Sequence, residues 1–239
     1  MKKLRHLIPA PLRLQYKIAH RTLRDIHSGH VFRFARLDNQ TTPLEHCVEI
    51  IQEVKPGTLF ENKCHNIRLA AAKISTVTVL PGQVFSFWRI LGHPTLKNGF
   101  QNGRNLINGT ISEAPGGGLC QVSGILHHLA LKTGLEVIER HHHSVDIYQE
   151  HERFAPLGSD ATVVYGYKDL RLRNVYPFAI RFELSLEQTI LHCRLLSEQS
   201  LKSHDITFIR QQSNQMVHVQ AMREGAIISR STYRLGSLA

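Results

Sequence analysis

Cys120 stands directly after three glycines, in the stretch Gly116-Gly117-Gly118-Leu119-Cys120-Gln121-Val122-Ser123. From Gln121 to Lys132 the apolar residues Val122, Ile125, Leu126, Leu129 and Ala130 recur at helical spacing, and Gly134 marks a stop. The cysteine is therefore expected at a helix N-terminus, where unpaired N–H groups and the helix dipole favour negative charge. A thiol there is biased toward thiolate, the form that attacks carbonyls and binds metals. Gly117 and Gly118 would let the backbone approach a ligand closely, and Gln121 would add a donor for a developing oxyanion. Downstream, Glu136 to Tyr148 holds His141-His142-His143-Ser144 among strand formers. On a strand, His141 and His143 share one face. Gly158 to Gly166 reads as a further short strand with Asp160 at its mouth. Nucleophile, base and orienting carboxylate make an acyl-transfer set: Cys120 attacks, His143 or His141 moves the proton, and Asp160 orients the imidazole. The thioester would pass to an amine, as in transpeptidation, or to water, as in a peptidase.

Around this set, Ser123 and Ser144 join Gly117, Gly118 and Gln121 as candidate substrate-binding residues. Arg171 and Arg173 would share a strand face and hold a substrate carboxylate. Other readings of the same residues stay open. Cys120 could be a small buried residue in a tight glycine turn. The histidines and arginines could be solvated strand residues, and Asp160 could cap a turn. His141 and His143 with Cys120 or Asp160 could bind zinc, although no HExxH or paired-cysteine spacing accompanies them. No cofactor is expected.

The elements that must position these residues suggest an α+β protein, with helices before residue 135 and a β-rich C-terminus. Thr42-Pro43-Leu44-Glu45 resembles a helix start, followed by a Leu44, Val48, Ile51, Val54 stripe that ends at Pro56-Gly57. Asn62 to Ile74 is a second, alanine-rich helix. Thr76 to Leu80 and Val84 to Phe87 read as strands around Pro81-Gly82. Residues 92–118 are glycine-rich and read mostly as loop. His30 to Arg36 reads as a short strand, and Leu170 to Leu186 as a strand pair around Asn174 and Pro177. Ile190 to Leu196, Ile206 to Ile209, Val217 to Met222 and Ala226 to Ser229 are further strands, with a hairpin turn at Glu224-Gly225. The helices, including the cysteine-bearing one, are expected to pack on a mainly antiparallel sheet.

Residues about 62–186 resemble the VanW domain. The resemblance runs through Asn66-Ile67, Pro81-Gly82-Gln83-Val84-Phe85-Ser86-Phe87, Gly92, Gly99 and the glycine–cysteine block. It continues through Glu139-Arg140, His143-Ser144, Asp160 to Gly166 and Asp169 to Asn174. The family takes its name from an accessory protein of vancomycin-resistance operons. Some extracellular, multidomain members are understood as cysteine-dependent L,D-transpeptidases that crosslink peptidoglycan stem peptides. The resemblance thus implies a cell-wall role, with Cys120 as nucleophile and a stem peptide or precursor as partner. The alternative is a non-catalytic protein that binds envelope precursors and keeps Cys120 for structure.

The division expected is a basic arm over 1–38, a VanW-like core over 39–186 and a β-rich extension over 187–239 packed on it. The chain has 239 residues and a net charge of +10. Residues 1–38 hold nine Lys/Arg against Asp25 and Asp38, leaving the rest nearly neutral. In the arm, Leu12, Tyr16, Ala19, Leu23 and Ile26 form the apolar stripe of an amphipathic helix. The plain expectation is that this stripe packs on the body with the basic face solvated. Contact with an anionic membrane is the alternative. No aromatic platform or recognition motif accompanies the arm, so nucleic acid is not an expected partner. Scattered cysteines and the lack of a signal-peptide pattern or apolar span suggest a cytoplasmic protein, free or membrane-peripheral.

Overall fold

In the computed structural model, residues 9–36, 43–107, 110–146 and 153–236 are described. The fold is α+β, as its patterning implies, and the sheets are mainly antiparallel. The glycine triplet leads straight into α4 (Leu119–Thr133), which is buried nearly all round: Val122, Ile125, Leu126 and Leu129 are inaccessible, and so are Ser123 and Thr133. Full burial of such aliphatic side chains contributes about 1.5–3 kcal/mol each, so this helix is a rigid base for whatever its N-terminus carries. Beside it lies α2 (Phe60–Ile74), whose Ile67, Ala70, Ala71 and Ile74 face the core.

The helices pack on an antiparallel sheet ordered β1 (His46–Glu53), β10 (Ile190–Ser197), β9 (Ile180–Glu187), β2 (Thr78–Val79). A second sheet joins β3 (Val84–Ser86), β8 (Arg171–Arg173) and β6 (Glu136–Glu139). A third is made of β11 (Ile206–Ser213), β12 (Met216–Arg223) and β13 (Ala226–Leu235), with β7 (Val145–Asp146) added parallel to β13. It has its own small core of Leu157, Val217, Val219 and Tyr233. Glu224 and Gly225 both have positive φ at the β12–β13 turn, the geometry of the expected tight hairpin.

Several expectations are corrected. Residues 46–53 form a strand, not a helix. Their Val48, Ile50 and Ile51 suit a pleated ribbon, and the run pairs along its whole length with β10. Ile51, which the helical stripe would bury, is 61% exposed. Thr42, the expected cap, lies outside the described residues. His30–Phe32 is a turn of 3₁₀ helix, with only Phe34 bridging to Val84. The glycine-rich 92–118 contains a hairpin, β4 (Asn102–Ile107) with β5 (Thr110–Pro115). The histidine strand stops at Glu139, so residues 140–144 are irregular, and Ile147 and Tyr148 lie outside the described residues. Residues 158–166 are irregular apart from a bridge at Val164. β8 and β9 do not pair, because they belong to different sheets.

The N-terminal α1 (Ala10–His27), which precedes a short α3 (Phe87–Leu91) in the chain, reverses the expected polarity. Its Leu12, Tyr16, Leu23 and Ile26 face solvent. The inner side is held by ion pairs: Arg21 to Glu139 at 2.7 Å and Asp25 to Arg171 at 2.6 and 2.9 Å.

Candidate functional site

The glycine triplet is shaped by close backbone approach. Gly116 and Gly118 have φ of 99° and 94°, a region that L side chains rarely adopt. A Cβ on Gly117 would lie 2.6 Å from the Cα of Gly103 on the neighbouring hairpin. Asn66 clamps the same turn from α2. Its amide nitrogen donates to the Gln101 and Gly117 carbonyls at 2.9 and 3.0 Å, and its oxygen accepts from the Gln101 N–H at 2.8 Å. Asn66 is fully buried, so these bonds hold the loop in one position. An asparagine inside an alanine-rich helix, at a position that carries the family resemblance, is the sequence sign of this duty.

The turn delivers Cys120 as the second residue of α4. Among the described residues no backbone acceptor takes the Cys120 N–H, whereas the Leu119, Gln121 and Val122 N–H groups bond to Gly116 or Gly118. An unpaired helix N–H beside the sulfur is what an oxyanion needs. The thiol is half-buried, 3.7 Å from the Thr162 hydroxyl and 3.9 Å from the Val163 carbonyl.

His143 is the imidazole brought to it. Its Nδ1 lies 2.7 Å from Asp160 Oδ2, which also accepts the His143 backbone N–H at 2.9 Å. Nδ1 therefore carries a proton toward the carboxylate and leaves Nε2 for the sulfur. Burial opposes a charge on Cys120, but the hydrogen bond and positive charge of His143 outweigh it and lower the thiol pKa below its ordinary value. Burial also opposes a charge on His143, yet Asp160 and the Cys120 thiolate raise its pKa to about 10. For Asp160, burial is again overcome by His143 and Arg140, and the carboxyl ionises well below its usual range. Each of these influences favours the charged form, so the geometry biases the Cys120–His143 pair toward thiolate and imidazolium, backed by the Asp160 carboxylate.

Asp160 is itself fixed from two sides. Arg140 donates to its Oδ1 at 3.0 Å and, through Nε, to its backbone carbonyl at 2.8 Å. Tyr233, on β13 and buried in the small C-terminal core, donates its hydroxyl to Oδ1 at 2.5 Å. Nothing in the sequence around Tyr233 signalled this role. The irregular 159–163 segment is stapled to α4 by Ser123 Oγ on the Ala161 carbonyl at 2.6 Å and by His127 Nδ1 on the Ser159 carbonyl at 2.8 Å. Burial, then the nearby Arg140, depress the His127 pKa to about 3, so it is a neutral structural donor.

Other candidates fall elsewhere. His141 turns its Nε2 to Glu139 Oε1 at 3.0 Å and does not line the cleft. It leaves the zinc set unassembled, and among the described residues no cluster of three metal-ligating side chains occurs. Ser144 is exposed, with its carbonyl taken by the Arg234 N–H. Arg171 is buried against Asp25 and Asp169, and Arg173 pairs with Glu136. Neither arginine reaches the cleft. Gln121 lines it but donates its amide to the Glu53 carbonyl at 2.9 Å.

The cleft above Cys120 encloses about 480 Å³ and includes Gly117, Gly118, His143 and Asp160. Lys55, Lys63 and Arg104 also line it, with Arg153, which pairs with Asp146; the ring of Phe60 supplies apolar surface. A cavity of this size and lining can take a small ligand that carries negative charge.

The fold and site define an α+β protein with a cysteine, a histidine and an aspartate gathered at a glycine-cradled helix N-terminus. The family model for VanW-like proteins matches residues 62–196, more than half of the chain, and the protein belongs to that family. It is 37% identical over 114 residues to the vancomycin B-type resistance protein VanW of Enterococcus faecalis, covering 48% of this chain and 42% of that protein. It is 35% identical over 123 residues to the uncharacterized protein YoaR of Bacillus subtilis, covering 51% of this chain and 39% of that one. The matches thus span less than half of either relative. No solved structure matches the chain significantly. Tyr233 and the α1 residues lie outside the family match.

Proposed function

We propose that Cys120, His143 and Asp160 carry out acyl transfer on a peptide of the bacterial cell wall. The observation that carries this reading is the orientation of one ring: Asp160 takes His143 Nδ1, so the opposite nitrogen serves the Cys120 sulfur on the floor of the cleft. The thiolate adds to an amide carbonyl, and the Cys120 N–H receives the oxyanion. As the tetrahedral adduct collapses, the C–N bond breaks and the imidazolium gives its proton to the departing amine. The thioester is then attacked by an acceptor amine, or by water, whose proton returns to His143; a new amide or a free acid leaves and the thiolate is regenerated.

The substrate class rests on three supports: the cationic lining of the cleft, the printed name of the Enterococcus faecalis relative, and the L,D-transpeptidase activity ascribed to some family members. The test is intact-mass analysis after incubation with a synthetic stem tetrapeptide, with and without an acceptor amine. A transient acyl adduct on Cys120, and product that is lost in a folded Cys120→Ala variant, support acyl transfer. Tight stem-peptide binding that Cys120→Ala retains, with no adduct in the wild type, would instead mark a non-catalytic binder.

A further inference from the structure

The outward ridge of α1 has no role in the site. Leu12, Tyr16, Ala19, Leu23 and Ile26 follow one another at four- and three-residue spacing along its solvent side; Tyr16 and Leu23 are each 66% exposed. Phe32, in the turn that follows, is 85% exposed. A surface helix ordinarily turns such a stripe inward. Here the inner side is committed to other contacts: Leu14 packs against Gly166, and Arg21 and Asp25 are paired with Glu139 and Arg171. The apolar ridge is therefore left outside by the way the helix is anchored.

Charge accompanies the ridge. Asp25 is the only acidic residue in the first 36, and Arg171 neutralises it in a buried pair. The exposed side carries Arg24, Arg33 and Arg36, with His20 and His27. An apolar ridge bordered by cations and free of carboxylates is complementary to an anionic lipid surface. A second copy of the chain is a poorer fit. Two such faces would bring like charges together, and an 18-residue helix falls short of the three to four heptads that sustain a coiled coil. Among the described residues no helix is long and apolar enough to cross a membrane, so the contact would be at the surface.

We propose that α1 and the following turn lie flat on an anionic bilayer, with Leu12, Tyr16, Leu23, Ile26 and Phe32 among the headgroups and the neighbouring cations on lipid phosphates. Such an anchor would hold the body, through the Arg21–Glu139 and Asp25–Arg171 pairs, at a fixed attitude to the membrane. The test is cosedimentation of the full chain with vesicles of phosphatidylcholine alone or mixed with phosphatidylglycerol. Binding at least about tenfold stronger to the anionic vesicles, weakened by added salt, is expected. The variant L12S/L23S/F32S changes only exposed side chains, so it should keep its melting temperature and lose most of that binding. Equal binding to both vesicle types, no binding to either, or an unaffected triple variant would overturn the proposal. So would a concentration-dependent dimer that the triple variant abolishes, which would assign the ridge to a second copy.

Discussion

Replacing His143 by glutamine tests the thiolate–imidazolium pair without knowledge of the substrate. Glutamine keeps a polar side chain near Asp160 but cannot carry the charge. In the wild-type protein burial pushes the Cys120 pKa up, and the two strongest opposing influences both come from His143. A hydrogen bond to a charged group is worth about 1.5–3 kcal/mol, so H143Q should raise the thiol pKa by about 1–2 units. At any pH below both pKa values the thiolate fraction then falls about 10–100-fold, but the more basic thiolate is intrinsically more reactive, which leaves a net loss of roughly 3–12-fold in alkylation rate there. The assay is iodoacetamide alkylation across pH, with the Cys120 peptide followed by mass spectrometry. Cys47 is exposed and would compete, so a Cys47→Ser background is required; Cys64 and Cys193 are buried. An H143Q protein whose Cys120 titrates at the wild-type pH, with the wild-type rate, would show that His143 does not support the thiolate and would refute the reasoning.

Three further outcomes follow from the same geometry. Tyr233→Phe keeps the ring in its small core but deletes the 2.5 Å hydrogen bond to Asp160, so it should cost about 1.5–3 kcal/mol of site organisation and lower Cys120 alkylation more than it lowers the melting temperature. Asn66→Ala takes away the partner of the buried Gly117 carbonyl and of the half-buried Gln101 N–H and should destabilise the fold by roughly 2–5 kcal/mol in urea titration; a loss below about 0.5 kcal/mol would contradict the clamp. The pH dependence of stability has two limbs. The raised pKa of His143 gives stability that is complete below its ordinary 6.5 and lost as pH rises through about 10. The depressed pKa of Asp160 gives stability present above its ordinary 3.8 and lost as the solution is acidified below it. Urea midpoints should therefore fall at both extremes, and Asp160→Asn should flatten the acid limb.

Much of the site could be read from the chain because its signals are local. Three glycines before an apolar periodicity place Cys120 at a helix start wherever that helix packs, since the backbone freedom of glycine and the 3.6-residue period act within one or two turns. The α+β character and the C-terminal hairpins were legible for the same reason. The misreadings all sit where a distant partner decides. Residues 46–53 became a strand because β10, far along the chain, offers an edge for Val48 and Ile50 to join. His141 and His143 are indistinguishable by spacing; only the fold turns one to Glu139 and the other to Asp160. Tyr233 reaches that carboxylate from 73 residues downstream, with no motif to announce it. The stripe on α1 was visible in the sequence, but its direction was set by the buried Asp25–Arg171 and Arg21–Glu139 pairs. Short-range dihedral and periodic preferences thus determine which element carries each reactive group. Which groups meet, and which face is left to solvent, is decided by hydrogen bonds and charge pairs between residues far apart in the chain.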